Sequence, residues 1–125
     1  MFILPVLVRI HAMSLNYRDI AISKNQYFGG ISIENCVPGC DAVGEVVTLG
    51  DRTSQWKTGD RVAATFFLGD TGAGITEEIV HTAIPGAKDP TGSLLQYRIF
   101  PATALVKVPT TLSWEEASTL PCAGM

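Results

Sequence analysis

The sequence predicts a mainly β domain, of the α+β class, with short helices at two places. Its 125 residues are 46% apolar and 17% charged. This is enough apolar chain to bury a core and too little charge for a coiled coil. Twelve glycines and seven prolines fit short strands joined by many turns. The predicted strands are not separated by long helices, which argues against a doubly wound parallel sheet.

Five segments predict strands because they alternate apolar and polar residues or are rich in valine. They cover residues 7–12, 42–49, 61–67, 94–100 and 104–108. Turn signals separate several of them. Residues 69–93 contain five glycines and two prolines, and we expect a long surface loop with one helical turn at 76–78.

Two segments predict helices. Residues 19–23 are compatible with a short helical turn. Ser113 and Glu116 have the spacing of a capping box, in which each side chain bonds the other residue's backbone amide, so a helix begins at Ser113. Pro121 then interrupts this helix or opens the next one.

Charge and apolar patterning exclude two classes of partner. A net charge of -3 leaves no electrostatic basis for binding nucleic acid. The apolar start is broken by Pro5 and ends at Arg9, which is too short for a membrane span of roughly 20 residues. Three cysteines, Cys36, Cys40 and Cys122, do not make a disulfide framework, so we expect a reducing, cytoplasmic setting.

A polar run, Asn16, Tyr17, Arg18 and Asp19, directly follows the first predicted strand. Polar side chains at the end of a strand often line a pocket, and Asn and Tyr offer hydrogen-bonding groups beside a flat apolar face. The alternative is structural: Asp19 caps the following helical turn and Tyr17 fills the core.

The cysteines allow a metal hypothesis and a packing hypothesis. Cys36, Cys40 and Asp41 could ligate zinc, although the C-x-x-C spacing is missing. The alternative is that these cysteines pack as small apolar side chains. Cys122 is predicted to lie beside a helix start, where the pKa of a thiol is lowered.

Two histidines complete the candidates. We expect His11, on a strand, to be a hydrogen-bonded core residue rather than a catalytic base, and His81 to be solvated. The chain has no G-x-G-x-x-G opening a helix, no P-loop, no H-E-x-x-H and no G-x-S-x-G. It therefore carries no dinucleotide-binding fold of its own.

Six segments together resemble one family, the medium-chain dehydrogenase/reductase superfamily of zinc-type alcohol dehydrogenases and quinone oxidoreductases. The segments are residues 6–12, 15–19, 38–47, 56–62, 96–101 and 112–125. The resemblance implies a GroES-like, partly open β-barrel with short helices over residues 1–125, truncated at both ends. In this family a Rossmann domain follows and holds the cofactor; it is absent here, so we expect a fragment of a longer enzyme.

The resemblance also bears on zinc. The family's first cysteine ligand falls on Asn16, its histidine on Cys40, the following glutamate on Asp41 and its last cysteine on Cys122. Because one ligand is lost and one is changed, the resemblance argues against a bound zinc and places the chain in the zinc-free branch. Arg18 stands where the family has a proton-relaying Ser or Thr.

The activity that the resemblance implies is NAD(P)-dependent oxidoreduction. Hydride would pass between NAD(P)H and a carbonyl, an alcohol or an activated alkene, as in quinone and enoyl reductases. Asn16 and Tyr17 would face nicotinamide and substrate. The site residues expected are Asn16, Tyr17, Arg18, Asp19, Cys40, Asp41 and Cys122.

The implied partners are a small-molecule substrate and the missing Rossmann domain. The longer protein could form a homodimer, and the fragment alone is expected to be inactive. Two other readings stay open: a zinc alcohol dehydrogenase with altered ligands, and a non-catalytic GroES-like interaction module.

Overall fold

The computed structural model describes residues 4–27, 34, 37–66, 68 and 92–124. The strands in these ranges are β1 (Pro5–Ala12), β2 (Val43–Leu49), β3 (Arg61–Ala64), β4 (Tyr97–Pro101) and β5 (Leu105–Lys107). They form one sheet in the order β4-β1-β2-β3-β5, with every neighbouring pair antiparallel. The helices are α1 (Tyr17–Ser23) and α2 (Trp114–Ser118), with a 3-10 turn at Ala102–Ala104. The predicted mainly β fold with short helices is confirmed.

Several element bounds differ from those predicted. β4 begins at Tyr97 rather than at 94, because the amides of Ser93 and Leu94 are bonded to the carbonyls of Gly39 and Pro38 instead. α1 begins two residues earlier than predicted, at Tyr17. The predicted helical turn at 76–78 and most of the predicted loop at 69–93 lie outside the described residues.

Among the described residues, the larger of two buried clusters lies on one face of the sheet, and a smaller one, which includes Val43, Val108 and Ala117, packs α2 against the other face. Along β1 the side chains of Val6 and Val8 are fully buried, whereas Arg9 is exposed, as the alternation of a strand requires. The partners of these valines are alanines, other aliphatic side chains and one aromatic ring. The buried cluster comprises Val6, Val8, Ala42, Val46, Val62, Ala64, Phe100, Ala102 and Leu105.

β1 and β2 approach each other so closely that one position admits only glycine. A Cβ atom at Gly44 would lie 2.1 Å from the carbonyl oxygen of Arg9, well inside van der Waals contact. Gly44 is paired with Ile10 across the two strands. The close approach lies near the end of β1 and the start of β2, and the site described below begins just beyond the end of β1.

α2 is anchored to the sheet through an aromatic sandwich. The Trp114 ring stacks on His11 at 4.4 Å with an interplanar angle of 5°. The Arg61 guanidinium lies 4.1 Å from the centre of the Trp114 ring. The prediction that His11 is a core residue is wrong: it is exposed, and its Nε2 lies 3.6 Å from Glu45 Oε2. Both helices of the described ranges are too short to cross a membrane.

Candidate functional site

Three chain segments converge to form the candidate site. They are the end of β1 with the start of α1, the loop that enters β2, and the turn that follows α2. Asn16 is the N-cap residue of α1, with extended backbone, and its own amide donates to Asp19 Oδ2 over 2.8 Å. Asp19 thus caps α1, as the structural alternative expected.

Asp19 also holds the loop that enters β2. Its Oδ1 accepts a hydrogen bond from the amide of Gly39 over 3.1 Å, and the carboxylate is nearly fully buried. Gly39 has a φ of +97°, a conformation that favours glycine. One buried carboxylate therefore joins α1 to the residues immediately before Cys40 and Asp41.

The Asn16 side chain reaches across to these two residues. Its Nδ2 donates to Asp41 Oδ2 over 2.9 Å and to Cys40 Sγ over 3.4 Å. Cys40 and Asp41 are both fully buried. The amide thus supplies the hydrogen bonds that a buried carboxylate and a buried thiol need.

Cys122 completes the cluster from the other side. The preceding helix is tied to β1 by a hydrogen bond from Ser14 Oγ to the Ser118 carbonyl over 2.9 Å. The Cys40 and Cys122 sulfurs and a carboxylate oxygen of Asp41 all lie within 4.8 Å of one another. Cys122 itself is only half-buried.

Burial and nearby negative charge keep both thiols protonated at neutral pH. Burial, followed by the charge of Asp41, raises the pKa of the Cys40 thiol to about 12. Burial, followed by the same charge, raises the pKa of the Cys122 thiol, although a hydrogen bond with Cys40 and the positive charge of Arg18 act in the opposite direction. The lowered pKa predicted for Cys122 is wrong, because this residue follows the end of α2 rather than beginning a helix.

The remaining two residues of the polar run point in different directions. Arg18 is buried, with its guanidinium carbon 5.1 Å from the centre of the Tyr27 ring. The Tyr17 side chain is 81% exposed, so the interpretation of Tyr17 as core is wrong. Beside it, Leu15 and Ile20 are also exposed. The end of β1 thus presents an apolar and aromatic surface next to the buried cluster.

The structure brings together most, but not all, of the predicted site residues. Asn16, Asp19, Cys40, Asp41 and Cys122 form one cluster. The charge of Arg18 acts on Cys122 from close by. Tyr17 lies on the adjoining surface. Cys36 and His81 lie outside the described residues.

Sequence reasoning missed Ser14 and Ser118. Ser14 precedes Asn16 by two positions in extended chain, and alternate side chains of extended chain share a face, so this signal was available. Ser118 contributes its backbone carbonyl, which no side-chain pattern indicates. Its contact depends on the placement of α2.

The cluster offers donors of the types that zinc binds. Ser14 Oγ lies 2.9 Å from the Ser118 carbonyl oxygen and 3.4 Å from Asp41 Oδ2, and its single proton serves one of them at a time. Asp41 Oδ1 is buried, and none of the described residues donates a hydrogen bond to it. Two sulfurs and an incompletely bonded carboxylate are donor types that zinc accepts, although zinc sites usually have four ligands. The described residues thus supply three of the four ligands that a zinc site usually has.

Comparison with known proteins identifies the class that this fold and cluster define. Residues 5–110 match the alcohol dehydrogenase GroES-like domain. The chain belongs to this family, and so to the medium-chain dehydrogenase/reductase superfamily. The predicted GroES-like fold and the family resemblance are confirmed.

Individual relatives carry related names. The chain is 38% identical over 120 residues to a zinc-type alcohol dehydrogenase-like protein of Schizosaccharomyces pombe, covering 96% of this chain and 34% of that protein. It is 31% identical over 117 residues to a quinone oxidoreductase-like protein 2 homolog of Nematostella vectensis, covering 92% of this chain and 25% of that protein.

A solved structure agrees with the fold. A putative alcohol dehydrogenase from Sinorhizobium meliloti 1021 superposes with a TM-score of 0.76 at 32% identity, covering 96% of this chain and 35% of that one. The chain thus spans about a third of this structure and of the fission yeast protein.

Proposed function

We propose that this chain is the substrate-side domain of a longer NAD(P)-dependent oxidoreductase that works without zinc. The observation that carries the proposal is the Asn16 side-chain amide, which bonds both Asp41 and Cys40. Asn16 stands where the family resemblance places the first zinc-ligating cysteine, and an amide nitrogen that donates hydrogen bonds is not a metal ligand. The position that resembles the family's histidine ligand carries Cys40, so two of the three ligand positions are changed.

The residues of the chain fit a role in binding and orientation. Bound NAD(P)H supplies a hydride, and the substrate is a carbonyl compound or an activated alkene whose oxygen gains negative charge. The exposed Tyr17 ring, with Leu15 and Ile20, offers a flat apolar surface for nicotinamide or substrate.

Hydrogen-bond donors next to this surface can meet the developing charge. The Tyr17 hydroxyl is one such donor. The Asn16 amide is another, because a substrate oxygen would accept its second hydrogen in place of the Cys40 sulfur, which is a weak acceptor. Asp41 and Asp19 hold Asn16 in place, so these two carboxylates position the donor rather than touch the substrate.

The proposal is tested by comparing the 125-residue chain with the longer protein that contains it. We expect the chain alone neither to bind NADPH in calorimetry nor to oxidise it, and the longer protein to do both with enal, aldehyde or quinone probes. Micromolar affinity of the chain alone for NADPH would contradict the proposal that another part of the longer protein binds the cofactor. An inactive longer protein that binds NADPH would support the alternative of a non-catalytic module.

A zinc enzyme with altered ligands is the second candidate. It is favoured by the three donors of Cys40, Asp41 and Cys122 within 4.8 Å and by the unpartnered Oδ1 of Asp41. These three residues would hold the ion, which would polarise a substrate oxygen as a Lewis acid. One zinc per chain surviving dialysis, and lost in the Cys122→Ser variant, would establish this candidate.

The cytoplasmic location expected from the cysteine content stays a prediction.

A further inference from the structure

Two free cysteines face each other in the candidate site although they come from distant parts of the chain. Cys40 and Cys122 have their sulfurs within 4.8 Å, and neither forms a disulfide. Cys40 is fully buried in the loop before β2, whereas Cys122 is half-buried in the turn after α2. The third cysteine, Cys36, lies outside the described residues.

We propose that Cys40 and Cys122 form a reversible disulfide site that closes across the cluster when the protein meets a peroxide. This goes beyond hydride transfer, since neither the proposed reaction nor its cofactor requires a bond between the two sulfurs. Formation of this disulfide would reversibly block the candidate site.

The geometry allows closure by movement of one side. A disulfide has a sulfur separation of about 2.05 Å, so the sulfurs must approach further. The Cys40 side is held firmly, because the neighbouring Gly39 is bonded through its amide to Asp19 and through its carbonyl to Ser93. Cys122 lies in a partly exposed turn closed by one bond from the Gly124 amide to the Leu120 carbonyl. We therefore expect Cys122 to move toward Cys40.

The difference in burial between the two cysteines also determines which of them reacts first with peroxide. The more accessible Cys122 sulfur attacks a peroxide oxygen as its thiolate, and its proton passes to the departing hydroxide; the O–O bond breaks and leaves a sulfenic acid on Cys122 and one water. Because the pKa of the Cys122 thiol is raised, the thiolate fraction is small at neutral pH and this step is slow. The Cys40 sulfur then attacks the Cys122 sulfur, the S–O bond breaks, and the departing hydroxide takes the Cys40 proton to form a second water. In sum, two thiols are oxidised to a disulfide and one hydrogen peroxide is reduced to two waters.

Closure would change the cluster directly. The Cys40 sulfur accepts a hydrogen bond from the Asn16 amide, and the Asp41 carboxylate lies beside both sulfurs. A covalent link between the sulfurs would draw Cys122, and with it the turn after α2, toward Cys40 and over Asp41. The oxidised site would therefore be closed to a substrate that the reduced site accepts.

The test treats the native full chain with a small molar excess of hydrogen peroxide and then alkylates the remaining thiols. We expect the intact mass to fall by two hydrogen atoms before alkylation, and only one of the three cysteines to be alkylated. A non-reducing peptide map should show the Cys40 and Cys122 peptides joined, and dithiothreitol should restore all three thiols. The Cys36→Ser variant should give the same link, whereas Cys122→Ser should give none.

Two further experiments distinguish a disulfide formed in the native site from random pairing of cysteines and from an effect of metal binding. In urea, the link should spread over all pairs of the three cysteines instead of selecting Cys40 and Cys122. Oxidation of Cys122 to sulfinic acid without a link, or a link to Cys36 in the native chain, would overturn the proposal. A link that forms only after dialysis against EDTA would assign both thiols to a metal and would also overturn it. None of these results depends on hydride transfer, so the proposed function is tested separately.

Discussion

The side-chain amide of Asn16 donates to the buried carboxylate of Asp41 over 2.9 Å, and this bond joins the end of β1 to the loop that enters β2. It is the central contact of the cluster, because Asp41 is fully buried and no described residue donates a hydrogen bond to its other oxygen. The Ser14 hydroxyl lies farther from Asp41, at 3.4 Å, so the Asn16 amide is the main donor to this carboxylate.

Asn16→Ala should destabilise the protein by about 2 kcal/mol, because a buried carboxylate loses its donor. Urea unfolding measures this change. The matched control is Gln96→Ala, since Gln96 is an exposed amide residue, and we expect a change within about 0.5 kcal/mol. Equal effects of the two substitutions would show that the Asn16 bond contributes nothing.

Asp19→Asn should cost about 1–3 kcal/mol, because an amide has one acceptor oxygen and the carboxylate serves two backbone amides. Either Asn16 or Gly39 then loses its partner. Asp51→Asn, at an exposed turn position, is the control and should change the free energy of unfolding little. If Asp19→Asn unfolds at the same urea concentration as Asp51→Asn, Asp19 does not join the two loops.

Gly44→Ala should cost about 3 kcal/mol or more, because its Cβ would lie 2.1 Å from the Arg9 carbonyl and both strands are fixed by their pairing. Gly59→Ala provides the comparison. Its Cβ would meet nothing within 4 Å, but its φ is +92°, so only the backbone strain of about 1 kcal/mol is expected. Thermal unfolding of both variants compares the two losses of stability. If Gly44→Ala lost less stability than Gly59→Ala, the close approach of β1 and β2 would be contradicted.

The pH dependence of stability should report the buried Cys40 thiol. Its pKa is raised by burial from 9.0 to about 12, so the unfolded chain ionises first as the pH rises. The stabilisation is present below the unfolded pKa and is lost between these two values. Cys40→Ser removes this titration.

The free energy of unfolding of the wild type, minus that of Cys40→Ser, should therefore fall from neutral pH to about pH 10. Comparing the two proteins cancels the titration of the tyrosines. Cys122 interacts with Cys40, so it is replaced by serine in both proteins before they are compared. A difference that stays constant over this range would show that the Cys40 thiol ionises as freely as in the unfolded chain.

Local sequence patterns predicted the helices and strands well, but they did not predict which residues of different elements come into contact. The alternation of β1 and the capping box of Ser113 and Glu116 are confirmed, because each depends on residues close in sequence. The proximity of Cys40 and Cys122 depends on how α2 packs against the sheet, which no local spacing encodes. Family resemblance, rather than periodicity, named these two residues together.

The exposure of Tyr17 was ambiguous for a similar reason. An aromatic residue between a strand and a helix fits a core as well as a surface, and the first residue of α1 faces outward only because Asn16 and Asp19 turn the chain there. A serine in a loop carries no strong sequence signal, and the contact of Ser14 with Asp41, like that of Asn16, depends on where the loop before β2 lies.

The most direct test of zinc-free hydride transfer uses NADPH deuterated at C4 and the probe trans-2-hexenal, with the longer protein dialysed against EDTA. Both deuterated epimers of NADPH are used, because the face of transfer is not specified. We predict that deuterium moves to C3 or C1 of the product at a rate unchanged by the dialysis. A rate lost on dialysis and restored by zinc, or a product without deuterium from either epimer, would contradict the account.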